Sequence, residues 1–437
     1  MDDAGCGCVR EVTMAAATAQ AVAGVLDLLR RHIRRPEAAR HAGDDLRGLL
    51  ADVDRKNGWQ LAEHAGYADP RGMQRVLARY AWDADAVRDD LRASVAAALG
   101  DPAGILVVDE TGFPKQGIHS VGVARQYCGT LGKIANCQIG VFLGYASAKG
   151  HAAIDRALYL PQAWRADPGR GDQAGIPTGT PFQTKPQLAL ALLERALDAG
   201  VPAAWVVADA VDGSDGALRR ALEARGQASV LAVRGNEHPS RWPPYGPPGQ
   251  VAISALAAAV PGDAWQRLSC GEGAQGPRIY DWAFVPLRPA LRTGWVHAVR
   301  IRRHPVRSTE TAFYLVSAPV DAPLTELVRA AGTRWTIEEV CKLARGQAGL
   351  DHYDVRSGQG WHRHVTLALL ALAALARVAQ KGEPTATTMS RSPFPNSGGS
   401  WSASSGRRPM PRTGSAPGHA GGVDTSASPR PPTAAVA

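Results

Sequence analysis

The 437-residue chain reads as an α/β protein, and three observations carry that reading. From Gly104 onward, short apolar runs alternate with amphipathic stretches, the strand-then-helix order of α/β folds. Two of those runs, Gly104–Asp109 and Ala203–Asp209, end in an aspartate. The first hundred residues instead show helical periodicity with no strand-like alternation.

Taken in order, Ala16 to Arg34 and Asp44 to Asp54 read as helices, followed by shorter ones up to Leu99. Within this region Trp59-Gln-Leu-Ala-Glu-His-Ala-Gly66 and Pro70-Arg-Gly-Met-Gln-Arg-Val-Leu-Ala-Arg79 form two helices joined at a Gly turn, with Pro70 suited to a first helical position. Arg71, Arg75 and Arg79 recur every four residues and share a face. That face is either a phosphate-contacting recognition helix or an ordinary solvated basic surface. Gly104–Asp109, Cys137–Tyr145, Ala152–Tyr159, Ala203–Asp209 and Ala228–Val233 are strands, and Lys185–Ala199 and Leu218–Arg225 are helices. Pro/Gly-rich turns between short strand-like runs mark 234–319 as a β-rich insertion. Leu324–Gly346 then reads as one helix and Trp361–Gln380 as a more apolar one.

The last 56 residues hold 8 Gly, 9 Pro and 10 Ser, a composition that cannot build a packed core, so a disordered tail is expected there. The resulting division is 1–100 helical, 101–233 first part of the α/β core, 234–319 insertion, 320–381 second part of the core, and 382–437 tail. No internal repeat is present.

The formal net charge is +9, of which the tail carries +3 and the rest +6, a modest excess that suits a polyanionic partner. The longest largely apolar run, Val365–Ala376, falls short of the roughly 20 residues needed to span a bilayer, so no membrane partner is expected. The start Met1-Asp2-Asp3 has no basic n-region, against a secretory signal. Six scattered Cys make neither a disulfide framework nor a zinc pair, which fits a reduced, cytoplasmic setting.

Asp109, Asp209 and a Glu from the 324–346 helix can form a three-carboxylate cluster. Hard Mg²⁺ or Mn²⁺ ions take such oxygen ligands, and two of them can activate a nucleophile and stabilise the leaving oxygen of a phosphodiester. On the helical wheel Arg334 lies about 40° and Arg345 about 20° from Glu338, favouring Glu338 over Glu339. An Arg–Glu–Arg face suits a site holding metal and phosphate together, and equally a surface ion-pair network. Asp109 also opens Asp-Glu-Thr-Gly, but an aspartyl-nucleophile phosphatase wants Asp where Thr111 stands. Gly271, Gly273 and Gly276 lack the Lys-Ser/Thr of a phosphate cradle and read as a turn.

These residues resemble a known family. Val108-Asp-Glu-Thr-Gly-Phe-Pro-Lys-Gln-Gly117, with His119-Ser-Val-Gly-Val-Ala-Arg-Gln-Tyr-Cys-Gly129 and Asn136-Cys-Gln138, resembles the first-Asp block of bacterial insertion-sequence DDE transposases. Val207-Ala-Asp209 resembles their second block, and Arg334-Trp-Thr-Ile-Glu338 through Arg345 the third, in the branch marked by Tyr-(2)-Arg-(3)-Glu-(6)-Lys. The similarity extends over roughly residues 40 to 380, including Gly349-Leu-Asp-His-Tyr-Asp-Val-Arg356 and Gly360-Trp-His-Arg-His364. The resemblance implies a ribonuclease-H-like core in which Asp109, Asp209 and Glu338 bind two Mg²⁺ or Mn²⁺ ions. It implies strand cleavage at transposon ends by activated water, then attack of the freed 3′-hydroxyl on target DNA. Arg334 and Arg345 would contact phosphate near the cut. Lys115, within the first block, joins the DNA-binding set, and the N-terminal helices with Arg71, Arg75 and Arg79 would hold the terminal inverted repeats. The implied partner is double-stranded DNA in the nucleoid, with a dimer forming on it.

The chain departs from the pattern in places. Ala331 stands for the signature Tyr, Arg345 for its Lys, and Asp212-Gly213 where Tyr-Gly is expected. The Pro/Gly/Ser tail replaces a basic helical continuation, as a frameshift near 382–390 would do. A degenerate remnant that binds DNA without cutting, and a host nuclease of the same fold, are the alternatives.

Overall fold

The structure, a computed structural model, describes residues 3–241, 249–273, 276–290, 292–307 and 310–381. The expected disordered tail, 382–437, and the proposed frameshift lie outside the described residues. Five helices fill the first hundred positions: α1 (Asp3–Arg31), α2 (Pro36–Leu50), α3 (Gly58–His64), α4 (Arg71–Ala78) and α5 (Ala84–Leu99). The second begins eight residues earlier than its apolar pattern suggests, because Pro36 opens its first turn and Ala38, His41 and Ala42 are buried. Asn57 and Asp83 accept backbone N–H groups at the starts of α3 and α5. A Cβ on Gly72 would stand 2.6 Å from the His41 imidazole, so this glycine is what lets α4 lie against α2.

The chain then enters β1 (Ile105–Pro114), β2 (Ala124–Cys128), β3 (Lys133–Ser147) and β4 (Gly150–Tyr159). Short helices α6 (Gln162–Arg165) and α7 (Pro168–Gln173) lead to α8 (Lys185–Asp198), β5 (Trp205–Ala208), α9 (Ala210–Gly213), α10 (Gly216–Arg225) and β6 (Ala228–Val233). Next come β7 (Ser240–Arg241), β8 (Gly249–Gln250), α11 (Ile253–Ala258), β9 (Gln266–Gly273), β10 (Gly276–Pro289), β11 (Trp295–Arg303) and β12 (Thr311–Pro319). The last helices are α12 (Leu324–Thr333), α13 (Trp335–Ala348) and α14 (Gly358–Lys381).

Ten strands form one mixed sheet in the order β2-β3-β1-β5-β6-β12-β11-β10-β9, with β4 pairing β3. β1 runs antiparallel to β3 over its whole length and parallel to β5, which runs parallel to β6. The 234–319 segment is β-rich as expected, and its main strands continue the same sheet, since β12 pairs antiparallel with β6. One strand has no counterpart in the sequence pattern. β2 alternates exposed and half-buried positions at the sheet margin and has no apolar run to betray it.

Successive strand residues face opposite sides, and β1 shows which helix covers which side. Thr111 bonds Arg345 of α13, while Glu110 pairs with Lys185 of α8. The two helices therefore cover opposite faces of the sheet. α14 packs against β4 and against α1, α2, α4 and α5, joining the N-terminal helices to the sheet. Its Gly358–Ala379 stretch is long and apolar enough to cross a membrane, which corrects the shorter apolar run read from the sequence, but 72% of its most apolar window is buried inside this fold, as in a core helix. Buried charge reinforces the joint. Asp155 of β4, fully buried, receives Arg195 at 2.8 Å, Arg88 at 3.3 Å and Arg92 at 3.5 Å. Arg156 bonds Asp85 at 2.8 Å and Thr366 of α14 at 3.0 Å.

Candidate active site

The two aspartates meet through sheet register. In the parallel pair β1–β5, Val108 stands opposite Ala208, so Asp109 and Asp209 follow at the same level. β5 stops at Ala208, whereas β1 continues to Pro114 because Glu110 to Pro114 keep their pairing with β3. Asp109 thus lies in mid-strand, beside the end of its parallel neighbour, rather than closing a strand as its sequence suggests.

Each aspartate has one oxygen engaged by backbone. Asp109 Oδ1 accepts from Glu110 N at 2.7 Å, and Asp209 Oδ1 accepts from Val211 N at 2.8 Å and Asp212 N at 3.1 Å as the cap of α9. Burial, and then the negative charge of Asp209, push the Asp109 carboxyl up to about 7; Glu338 pushes the same way, while the Glu110 N–H and Arg334 oppose.

Glu338 comes from the helical pair after the insertion. The single helix expected over 324–346 is two, broken at Arg334, the one residue between α12 and α13. Arg334 Nη1 bonds Glu338 Oε1 at 2.8 Å, one turn along. Burial works against the charge on Arg334, but Glu338 and Asp109 outweigh it and hold the guanidinium above its usual range. Arg345 does not join this pair. It reaches β1 instead, donating to Thr111 Oγ1 and, at 2.9 Å, to Thr130 Oγ1. The flanking of Glu338 by two cations, read from the helical wheel, is thus reduced to one.

Among the described residues no three His, Cys, Asp or Glu side chains are drawn together into a ready-made metal-holding group. The donor chemistry nevertheless suits a hard divalent cation. Asp109 and Asp209 present carboxylate oxygens at one level of the sheet, their charges oppose each other, and Glu338 is near enough to add to that repulsion.

Two further acids and one lysine belong to this neighbourhood. Lys185, at the start of α8, bonds the Glu110 carboxylate at 2.8 Å. Thr184 and Gln187 fix that helix start in a capping box. Asp212 is only 4% exposed. Burial, then Asp209, Glu110 and Asp109, push its carboxyl up to about 8. The sequence signals Asp212 only as an acid where the family pattern has Tyr, and Lys185 only as the start of an amphipathic helix.

The predicted DNA-binding residues divide. Arg71, Arg75 and Arg79 are all exposed, the first two on α4 and Arg79 as its C-cap. Asp69 Oδ1 accepts the Arg71 N–H ahead of the helix. Trp59, on α3, is 67% exposed. Lys115 is instead turned inward. Its Nζ stands 3.6 Å over the Tyr353 ring and donates to Tyr353 O at 3.3 Å, and burial pushes it down to about 8. The described cysteines Cys128, Cys137, Cys270 and Cys341 are free and buried.

A mixed sheet with paired aspartates on adjacent parallel strands and a glutamate on a following helix defines a class, and comparison with known proteins names it. Residues 28–275 match the family described as DDE superfamily endonuclease, and the chain belongs to that family. It is also similar to the probable transposase for insertion sequence element IS701 of Microchaete diplosiphon, at 26% identity over 197 residues. That alignment covers 44% of this chain and 48% of the relative, so the chain matches about half of the relative's length.

Proposed function

We propose that this protein is a DNA transposase that cuts the ends of an insertion element and joins the freed 3′-hydroxyl to target DNA. The observation that carries the reading is the juxtaposition of Asp109 and Asp209 across the β1–β5 pair in a chain of the DDE endonuclease family. The mixed sheet around them supports a ribonuclease-H-like core. Asp109, Asp209 and Glu338 would hold two Mg²⁺ or Mn²⁺ ions. Such ions supply Lewis acidity to a phosphodiester and make water a usable nucleophile at neutral pH.

The chain's own residues do the positioning. Backbone N–H groups hold one oxygen of each aspartate, which would leave the other for a cation. Arg334, now paired with Glu338, takes a DNA phosphate in exchange and releases that carboxylate to the site. Arg345, anchored on Thr111 and Thr130, fixes α13 against the strand carrying Asp109. Lys115, stacked on Tyr353, steadies the far end of that strand. Arg71, Arg75, Arg79 and the exposed Trp59 of the 1–100 region hold the terminal repeats as a helix pair. Synapsis of two ends makes a DNA-bound dimer the working unit, acting on nucleoid DNA in the cytoplasm.

The test is a Mg²⁺- or Mn²⁺-dependent cleavage assay on the element's own ends. Asp109→Ala abolishes cutting and keeps the band shift. Cutting by Asp109→Ala at the wild-type rate refutes the assignment. A band shift without cutting by the wild type identifies a binding remnant, and cutting without end preference identifies a nuclease.

A further inference from the structure

We infer that the β2–β3 hairpin is a stacking surface for bases left unpaired where the DNA is cut. The inference rests on the transposase reading above and names the part of the DNA that the hairpin takes. Its turn, Gly129–Leu131, is seated beside the candidate site by two sets of contacts. Thr130 Oγ1 donates to Gly112 O at 2.8 Å, on the stretch of β1 that runs on past the end of β5. Arg345 of α13, the helix that carries Glu338, donates to both Thr130 Oγ1 and Thr111 Oγ1. Asp109 precedes Thr111 by one alternation of β1 and so lies on the same face of that strand. Two glycines allow this seat. A Cβ on Gly112 would stand 2.5 Å from Cys128 Sγ, and Gly132, at φ +63°, closes the turn.

What the hairpin shows to solvent is apolar and basic. Tyr127 and Ile134 stand directly opposite one another across the β2–β3 pair, so their side chains share one face. They are 56% and 61% exposed, and Leu131 in the turn is 44% exposed. Arg125, on the same face of β2 as Tyr127, is exposed, and so is Lys133. No Asp or Glu occurs from Thr111 to Ile154, so no acid of the hairpin or its flanks offsets these cations. Exposed apolar side chains gathered in one patch mark an interaction surface. A second copy of this chain seated there face to face would set Arg125 and Lys133 against their like, which costs binding energy. DNA meets both halves of the surface. Its phosphates take the cations, and an unstacked base lays its flat face on Tyr127 and Ile134. Inside a duplex that face is covered by the neighbouring bases, so the surface suits DNA where stacking is opened.

The experiment is a band-shift titration of the metal-free full-length protein, so that no cutting intervenes, against two probes. One is the element's own end fully paired; the other is the same end with mismatched bases at the cleavage point. Wild type binds the mismatched probe more tightly. Tyr127→Ala binds that probe about tenfold more weakly than wild type, the order that losing one base–aromatic stack costs, and loses the preference. Ile134→Ser shifts the preference in the same direction. Tyr127→Phe keeps it, since the ring and not the hydroxyl does the stacking. Melting temperatures stay at the wild-type value, because these side chains are exposed. A wild-type protein without the preference, or Tyr127→Ala with it undiminished, overturns the stacking role and leaves the transposase reading standing. Loss of a dimer in Tyr127→Ala by light scattering, with the preference intact, gives the face to a second copy and overturns it likewise. A wild-type protein that binds the element's end no better than unrelated DNA overturns both.

Discussion

Asp45 poses at the scale of one residue the same problem as the candidate site, but with no ligand in prospect. It lies on α2, 1% exposed, with its Oδ1 lacking any partner among the described residues. Burial alone pushes its carboxyl up to about 7. The folded-state value lies above the ordinary one, so the folded protein takes up the proton more readily than the unfolded chain. The associated stability is fully present below about pH 4 and is lost as pH rises through about 7. Asp45→Asn is therefore expected to raise the melting temperature at pH 8 and to change it little at pH 4, which paired thermal melts check. An equal gain at both pH values would mean that packing, not charge, is responsible. Asp45 does not look unusual in the sequence, because burial of a carboxylate on an amphipathic stretch depends on what packs over it.

At the scale of elements, the joint between the N-terminal helices and the sheet is held by charge as much as by apolar packing. Asp155 is fully buried on β4 and meets Arg88 and Arg92 of α5 and Arg195 of α8. Removing one member of a buried ion network strands the others, typically at about 3–5 kcal/mol. Asp155→Ala is expected to cost that order of stability in a urea titration, through Arg88 and Arg92, which are themselves buried. A loss well under about 1 kcal/mol would show that water reaches the arginines and that the joint rests on α14. The strands of the core were the readily legible elements. Ile105–Val108 and Trp205–Ala208 are buried throughout, and strands covered on both faces read as continuous apolar runs. The break between α12 and α13 was not legible, since the Arg334 backbone itself stays in the α region, both segments keep helical periodicity, and Gly332 is the one nearby signal. It matters for the site because Arg334 stands at the break and reaches Glu338 from there.

At the scale of the whole molecule, the net charge of +9 is too small to account by itself for the proposed DNA binding, which would have to draw its affinity from placement. Arg71, Arg75 and Arg79 project from the short α3–α4 pair, while the carboxylates lie at the β1–β5 junction in the sheet. If the arginines hold phosphates, replacing all three with Ala is expected to weaken DNA binding at 0.1 M salt. It should also flatten the slope of log K against log salt by about 2–3, nearly one for each phosphate no longer neutralised. An unchanged slope would make them an ordinary solvated face. The sheet has its own consequence. Because β12 pairs with β6, the strands of the insertion and those of the core share one hydrogen-bonded ladder. The 234–319 segment is thereby linked, through β6, to β5, the strand that leads into Asp209.

The sequence nominated Asp109, Asp209 and Glu338 as candidates, through their resemblance to a family pattern; by itself it determined the α/β class, the helical first hundred residues and the β-rich character of 234–319. These are properties of local periodicity and spacing, which side chains carry wherever the chain folds. Tertiary structure alone decided that Asp109 and Asp209 stand level, that Glu338 is held by Arg334 while Arg345 turns to Thr111, and that Lys115 is spent on Tyr353. It alone also brought Asp212 under cover beside them. Register, burial and charge compensation are set by residues tens to hundreds of positions apart, and no local pattern records which of them will meet.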